Sequence, residues 1–253
     1  MANLWWLEQQ QARVQRLETG GGQVHFDGRR VRLALPRVSR ERYGDAQLHD
    51  YAHLPRARYR WRPPLALSVR ARMSRGVRGT AGFGFWNNPL APRPALPRAA
   101  WFLFASPPSS MELAQGVAGN GWKAATIDAG RNEALVWAPP APLLLLLCRR
   151  PAWRDRLWPR VQRALAVDEA LLAVDPGEWH TYDLIWLRDR VLFGVDGHEV
   201  LRSNYAPRGP LGLVVWIDNQ WARVTPAGSF GWGLLEAPGE QWLELEDLHI
   251  VHA

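Results

Sequence analysis

The sequence predicts an all-β protein with a short helical insertion. Two hairpin signals, Asp27-Gly28 and Asp196-Gly197, each stand between strand-like segments, as in tight two-residue turns. Leu65–Met73 alternates apolar and polar residues with the period of a half-buried strand. Residues 140–175 break this pattern, because their apolar residues recur at helical spacing. Together these features favour a β-sandwich with helices inserted between two strands.

The first part of the chain supplies a helix, a hairpin and an edge strand. Leu4–Leu17 has helical spacing, which stops at the three glycines 20–22. Gln23–Phe26 and Val31–Leu35 are the expected arms of the first hairpin. Tyr43–Leu54 is polar and aromatic and predicts an edge strand followed by a turn.

The middle of the chain contains further strand patterns. Gly79–Trp86 is a glycine-spaced aromatic strand, in which the small residues let a neighbouring strand or a ligand approach the backbone. Ala99–Ala105 is apolar enough for a central strand buried on both faces. Met111–Gln115 and Trp122–Ile127 predict two shorter strands.

The insertion comprises three apolar-periodic stretches: Leu143–Arg150, Trp153–Ala166 and Val167–Val174. They predict one or two amphipathic helices, with Pro151 and Pro159 limiting their length or marking first turns. Covering an open end of the sandwich is the simplest role for such helices. A lid over an apolar pocket, or contact with a membrane or a partner, are the alternatives.

The last part of the chain returns to strands. Tyr182–Trp186 alternates, Val191–Val195 is apolar, Pro210–Ile217 predicts a buried strand and Trp242–His249 a final sheet strand. No linker or composition break divides the sequence. We therefore expect one domain over residues 1–253.

Composition narrows the classes of partner. The formal net charge is +7, but Lys123 is the only lysine and the arginines are scattered without a dense basic run or a helix-turn-helix pattern. Specific nucleic-acid binding is therefore not expected. The chain has 15 tryptophans. If roughly two-thirds of them are packing, the rest can line a groove that accepts flat ligand faces.

Cellular location is predicted from what the sequence lacks. Cys148 is the only cysteine, so no internal disulfide can form. The N-terminal residues lack a basic segment followed by a long apolar one, as a signal peptide requires. The apolar run Leu143–Cys148 is far shorter than the roughly 20 residues that span a bilayer. A cytoplasmic protein without a transmembrane segment is the expectation.

The stretch Glu178–Val200, EWHTYDLIWLRDRVLFGVDGHEV, carries a family resemblance. It resembles the concanavalin A-like jelly rolls, in particular the laminarinase-type glycoside hydrolases of family 16, which have a W/F-H-x-Y-x-x-x-W strand followed by a strand ending in V-D-G. The resemblance extends over about two-thirds of the chain. It implies a jelly-roll sandwich of two antiparallel sheets with a glycan on its concave face.

The catalytic motif of that family, E-x-D-x-x-E, does not occur in this sequence. The resemblance places it at Trp101–Ala105, which contains no carboxyl group. Retaining glycosidases need two carboxyls about 5–5.5 Å apart. Glu112 and Asp218 are the candidates for relocated acids, although acids at strand ends are more often turn formers or arginine partners.

Tryptophans beside amides form the candidate glycan site. An indole suits the C–H face of a pyranose, and amides suit its hydroxyls. The amides alternatively serve as turn formers and the indoles as core. Carbohydrate contacts are predicted at Trp86, Asn87, Asn88, Lys123, Trp216, Asn219, Gln220 and Trp221.

No metal site or cofactor is predicted. His49 and His53 are spaced by four residues but lack the H-E-x-x-H arrangement, and no phosphate-cradling glycine loop or G-x-S-x-G motif occurs. Three functions stay open. The first is a carbohydrate-binding or catalytically divergent glucanase-like module, the second an active hydrolase or lyase with relocated acids, and the third an intracellular binder of an apolar ligand under the helices.

Overall fold

Two antiparallel sheets of seven strands each stack face to face in the described part of the chain, and a third sheet has three strands. The computed structural model describes residues 14–90, 93–137 and 141–252. Strands are numbered β1 to β17 along the chain. The structure therefore confirms the predicted all-β class and the two-sheet sandwich.

Sheet A has the neighbour order β1-β4-β14-β6-β7-β9-β10. Its strands are β1 Gln15–Thr19, β4 Asp45–His49, β6 Thr80–Trp86, β7 Arg98–Ala105, β9 Gly121–Asp128, β10 Asp168–Leu171 and β14 Gly212–Asp218.

Sheet B has the neighbour order β13-β12-β11-β5-β17-β3-β2. Its strands are β2 Gln23–Asp27, β3 Arg30–Leu35, β5 Leu65–Met73, β11 His180–Trp186, β12 Val191–Val195, β13 His198–Ser203 and β17 Gln241–His252. Sheet C has the order β16-β15-β8, with β8 parallel to β15. Its strands are β8 Ser110–Met111, β15 Gln220–Val224 and β16 Phe230–Leu234.

The core lies between sheets A and B, and the motif that carried the family resemblance supplies its centre. Tyr182 and Trp186 share one face of β11 and are fully buried. The Tyr182 ring lies 5.4 Å from Phe83 and 5.1 Å from Phe102, which sheet A contributes. The buried Tyr182 hydroxyl has a hydrogen-bond partner, since Trp122 Nε1 donates to it at 3.1 Å. Tyr182 and Trp186 are thus packing positions, whereas Trp179, the first aromatic residue of the motif, is partly exposed.

His180 and Asp196, the polar positions of the same motif, fix the hairpin between β12 and β13. The His180 Nδ1 and Asp196 Oδ2 atoms are 2.6 Å apart, and Asp196 Oδ1 accepts from the Thr181 amide at 2.8 Å. Asp196 and Gly197 both have positive φ, as a type I′ turn requires.

The helical insertion lies between β9 and β10. Its helices are α1 Asn132–Leu135, α2 Ala141–Cys148 and α3 Pro151–Ala164, and a 3₁₀ turn, Arg56–Arg58, lies between β4 and β5. The predicted helices over 143–166 are confirmed, but the helical prediction for Val167–Val174 is wrong. Ala166 has φ +51°, which ends the helical path, and Asp168–Leu171 then pairs with the free edge of β9. Short apolar runs do not distinguish helix from strand by spacing alone.

The N-terminal expectations also change. The predicted helix Leu4–Leu17 lies largely outside the described residues, but Gln15–Thr19 is a strand that pairs with β4. Consequently β4 lies between β1 and β14 and is not an edge strand. Glycine is required at position 20, where the backbone after β1 passes close to the backbone before β4. A Cβ on Gly20 would lie 1.9 Å from the Tyr43 carbonyl oxygen.

Candidate functional site

The outer face of sheet A, which points away from sheet B, collects the functional candidates. Strand alternation sends Phe83 and Phe102 into the core and Trp86, Trp101 and Trp216 to the outer face. The central strands β14, β6 and β7 are neighbours, so the three indoles converge.

The three tryptophans form a continuous row of half-buried rings. The centroids of Trp86 and Trp101 are 6.0 Å apart, and those of Trp101 and Trp216 are 5.5 Å apart. Glycines of β6 make the space. A Cβ on Gly82 would lie 2.7 Å from Trp216 Cη2, and one on Gly84 would lie 2.7 Å from Trp101 Cβ. The glycine spacing of the strand therefore accommodates the indole row.

Hydrogen bonds fix two of the three indoles. Trp86 Nε1 donates to the Tyr51 hydroxyl at 2.7 Å, and Trp216 Nε1 donates to Thr80 Oγ1 at 2.9 Å. Held in this way, the rings lose little additional rotamer freedom when a ligand stacks on them.

Strand β4 places polar groups beside this row. Gln47 Nε2 lies 2.9 Å from His49 Nδ1 and 3.1 Å from the Tyr51 hydroxyl. The His49 ring stacks on Tyr51 at 4.6 Å between centroids. Burial, with the charge of His53, lowers the pKa of His49 to about 4, so its imidazole is neutral near pH 7. Gln47 is partly exposed and can present its amide to a ligand.

Two carboxyl groups face each other at one end of the same face. Asp45 of β4 is the register partner of Asp218 of β14, and their side chains share the outer face. Asp218 Oδ1 accepts from the Thr80 hydroxyl at 2.8 Å and from the Gln220 amide at 3.0 Å. Asp45 Oδ1 is buried without a hydrogen-bond partner among the described residues.

Burial governs the protonation of this pair. It raises the pKa of Asp45 to about 8, with help from the charge on Asp218, and raises the pKa of Asp218 to about 6. The pair thus holds one proton near pH 7, because two carboxylates cannot both ionise cheaply at such close range. The Tyr43 phenol lies against both groups, and its own pKa is raised by burial and by their charges.

The strand that the resemblance associates with catalysis carries no acid. Trp101, Leu103 and Ala105 present the outward side chains of β7, and they pack with Met111 and Ala125 in an apolar cluster. A nucleophile or an acid/base carboxyl is therefore not available at these positions.

The proposed acid Glu112 lies elsewhere. Of the predicted strand Met111–Gln115, only Met111 lies in a strand, the two-residue β8 of sheet C, and the exposed Glu112 follows it. Its carboxyl accepts from the Ser110 hydroxyl at 2.8 Å. It lines a groove of about 270 Å³ with Gln115, Arg154 and Asp155. The register partner of Asp218 is Asp45, which the sequence analysis did not select.

Three of the predicted contact residues hold the scaffold. Asn87 joins the Leu96 carbonyl to the Arg98 amide, and Asn219 donates to the carbonyls of Ser39, Arg42 and Leu235. Lys123 is fully buried, with Nζ 3.3 Å from Glu169 and 3.2 Å from the Met111 carbonyl. Their side chains are occupied within the protein, which leaves them little capacity for a ligand.

The remaining predicted contacts are Asn88, Gln220 and Trp221, which have contacts of their own within the protein. Asn88 has φ +43° and its carbonyl accepts from Arg56 at 2.7 Å, while the Gln220 side chain lies beside Tyr43. Trp221 packs over Gly231 and Gly233 of β16.

Sequence reasoning missed Asp45, Gln47, His49 and Tyr51. Their signal is the spacing Asp45-x-Gln47-x-His49-x-Tyr51, because every second residue of a strand lies on one face. From sequence, this segment predicts an edge strand, and the spacing of His49 and His53 bears only on a metal site, which is not predicted.

The apolar space under the helices is filled. Leu144, Cys148, Trp158 and Val161 form a buried cluster, and Trp158 Nε1 donates to the Leu113 carbonyl at 2.9 Å. Across the described ranges, no group of three or more His, Cys, Asp or Glu side chains is placed to hold a metal ion. None of the helices described is both long and apolar enough to cross a membrane.

Solved structures share this fold. The chain is similar to the Bacillus licheniformis beta-glucanase, with a TM-score of 0.50, 11% identity, and coverage of 95% of this chain and 92% of that one. It is also similar to the Crh5 transglycosylase solved in complex with NAG, with a TM-score of 0.51, 11% identity, and coverage of 96% and 79%. A sialidase matches 96% of this chain at a TM-score of 0.47 and 8% identity, but this chain spans only 17% of its length.

These similarities confirm the predicted concanavalin A-like jelly-roll sandwich and the resemblance to the β-glucanase fold. At such low identity they establish the fold alone. Neither a family model nor a curated protein matches the sequence.

Proposed function

We propose that the protein binds a glycan on the outer face of sheet A, the surface predicted as the concave face of the jelly roll. The observation that carries this proposal is the row of three contacting, half-buried indoles, Trp86, Trp101 and Trp216, beside the partly exposed side chain of Gln47. Pyranose rings have flat C–H faces and hydroxyl edges, which match this combination.

The geometry refines the predicted set of contacts. Trp86, Trp101, Trp216 and Gln47 are the proposed ligand contacts, and His49 and Tyr51 position them. Asn87, Lys123 and Asn219 hold the strands that carry the site. A neutral His49 and uncharged indoles favour a neutral glycan over a polyuronic acid.

Catalytic divergence forms part of the proposal. The outward positions of β7 are Trp101, Leu103 and Ala105, so the acid pair that the resemblance implies has been replaced by an apolar surface. The expected activity is binding without bond cleavage.

Hydrolysis is the second candidate, and the Asp45–Asp218 pair favours it. Cross-strand neighbours have Cβ atoms about 4.5–5.5 Å apart. The two raised pKa values differ, about 8 for Asp45 and about 6 for Asp218, as suits an acid and a nucleophile. Their side chains are only 2% and 8% exposed, however. A substrate would reach them only if the surrounding side chains moved.

Titration calorimetry with laminarin, mixed-linkage β-glucan and N-acetylglucosamine oligomers tests binding. We expect one of these probes to bind and to quench tryptophan fluorescence, and Trp101→Ala to weaken binding by about tenfold or more. Trp153→Ala, which alters an exposed indole on α3, is the matched control and should bind normally. Normal binding by Trp101→Ala would contradict the proposed site.

Reducing-sugar release separates the two candidates. Release by the wild type that Asp45→Asn and Asp218→Asn both abolish would establish hydrolysis at the carboxyl pair. Binding without release supports the first candidate.

A further inference from the structure

The helical hairpin of α2 and α3 carries three exposed apolar side chains, together called the apolar tip. Leu143 and Leu146 of α2 are 59% and 57% exposed, and Trp153 in the first turn of α3 is 44% exposed. Pro151 and Ala152, the first two residues of α3, are exposed as well.

The exposed residues of the tip do not belong to the packed side of the hairpin. The same two helices bury Leu144, Cys148, Trp158 and Val161 against the body of the protein. Packing of the hairpin is therefore complete on its inner side, and the outer leucines and Trp153 are additional apolar surface. Apolar surface of this kind in addition to a completed core often marks an interaction site.

The charges around the tip have one sign. Six arginines and a single acid, Asp155, lie between residues 149 and 163. Arg154 lies 3.7 Å from Asp155. Within the described residues, Arg149, Arg150, Arg156 and Arg160 have no acidic partner.

The outer face of sheet B gives a contrast. On that face, Arg32 and Arg72 both pair with Glu244, and Arg30 and Arg70 both pair with Glu246. Among the residues described, the four arginines around the apolar tip have no such carboxylate beside them. A partner with dense negative charge and an apolar interior complements such a surface.

We infer that the α2–α3 tip docks on an anionic lipid membrane, with Leu143, Leu146 and Trp153 at the boundary between headgroups and acyl chains and with Arg149 and Arg150 on lipid phosphates. Indoles and leucines beside arginines are the composition of interfacial helices. Such docking is peripheral. It involves none of the residues proposed to contact the glycan.

Co-sedimentation with vesicles tests the inference on the full chain. We expect binding to an equal mixture of phosphatidylcholine and phosphatidylglycerol, weak binding to phosphatidylcholine alone, and release by high salt. Arg149→Glu with Arg150→Glu should weaken binding by roughly twentyfold or more. Arg149→Lys with Arg150→Lys should retain it, and Leu146→Ser with Trp153→Ala should lower it on the anionic vesicles as well.

Two control variants complete the design. Val251→Ser, on an exposed apolar residue of β17, and Trp101→Ala, in the glycan site, should bind vesicles normally. Equal binding to both kinds of vesicle, or binding to neither, would overturn the inference. So would a dimer in sedimentation velocity that Leu146→Ser dissociates, since a second copy would then cover the tip.

Discussion

The two sandwich sheets both carry tryptophans on their outer faces, but the tryptophans of the two sheets make different contacts. On sheet B, Arg72 lies 4.6 Å from the centre of Trp179, and Arg32 lies 4.8 Å from that of Trp242. On sheet A, Trp86, Trp101 and Trp216 contact each other, as described above, beside neutral polar groups. The tryptophans of sheet B thus already have cation partners, whereas those of sheet A keep partly exposed faces that a ligand can cover. An indole indicates a binding surface only when nothing in the protein already stacks on it.

The first prediction tests whether the indole row of sheet A depends on the glycines of β6. Gly84→Val should destabilise the protein by more than about 3 kcal/mol, because the residue has φ +147° and its Cβ would lie 2.5 Å from the Ala100 carbonyl oxygen. Gly194→Ala in sheet B is the matched control, since its Cβ would meet only ordinary contacts at 3.5 Å or more. Urea unfolding of both variants measures the difference. Equal losses would show that the indole row does not depend on the glycine.

The second prediction concerns the pH dependence of stability, which has opposite signs for Asp45 of sheet A and Glu244 of sheet B. The Asp45 pKa is raised to about 8 in the folded protein, so the folded state holds the proton more tightly than the unfolded chain does. Stability is therefore lost between about pH 4 and pH 8, by on the order of a few kcal/mol. Asp45→Asn should remove most of this loss above about pH 6 in urea titrations at successive pH values, because Asp218 keeps its own raised pKa of about 6. An unchanged slope would mean that Asp45 ionises normally.

On sheet B, burial opposes ionisation of Glu244, but hydrogen bonds from Arg32 and Arg72 outweigh it and lower the pKa. This group therefore stabilises the protein above its unfolded pKa, and that contribution disappears on acidification. Glu244→Gln should flatten the acid limb of the stability profile and leave the alkaline limb unchanged.

The third prediction sharpens the contrast between paired and unpaired charges. Glu244→Ala leaves Arg32 and Arg72 without their shared partner and should cost about 2 kcal/mol in thermal or urea unfolding. Glu199→Ala, which removes an exposed partner of Arg202, should cost less than about 0.5 kcal/mol. Similar costs would indicate that the sheet B network is as weak as an ordinary surface pair.

The smallest effect is expected at Tyr51. Tyr51→Phe removes the acceptor for the Trp86 indole N–H and for Gln47, which should cost about 1 kcal/mol of stability. Glycan affinity should fall several-fold as the two side chains lose their fixed orientation. Tyr182→Phe, in the core, removes a comparable acceptor for Trp122 and should leave the affinity unchanged. Calorimetry on both variants distinguishes positioning from stability.

The sequence by itself determined the sandwich and most of its strands, because period-two alternation, turn residues and the W-H-x-Y and V-D-G elements act locally. It also determined that Trp101–Ala105 lacks carboxyls, since composition needs no coordinates. Its errors fell where long-range pairing decides. Asp168–Leu171 became a strand because β9 offered a free edge, and Tyr43–Leu54 was not an edge because Gln15–Thr19 covers it.

The site itself was decided by the tertiary structure. Asp45 and Asp218 are 173 residues apart in the chain and meet only through the β4–β14 register. Asn87, Asn219 and Lys123 have the chemistry of ligand contacts, yet backbone groups of other segments and, for Lys123, the Glu169 carboxylate occupy them. Which polar groups remain available to a ligand depends on which partners the fold brings to them, and no local pattern encodes those partners.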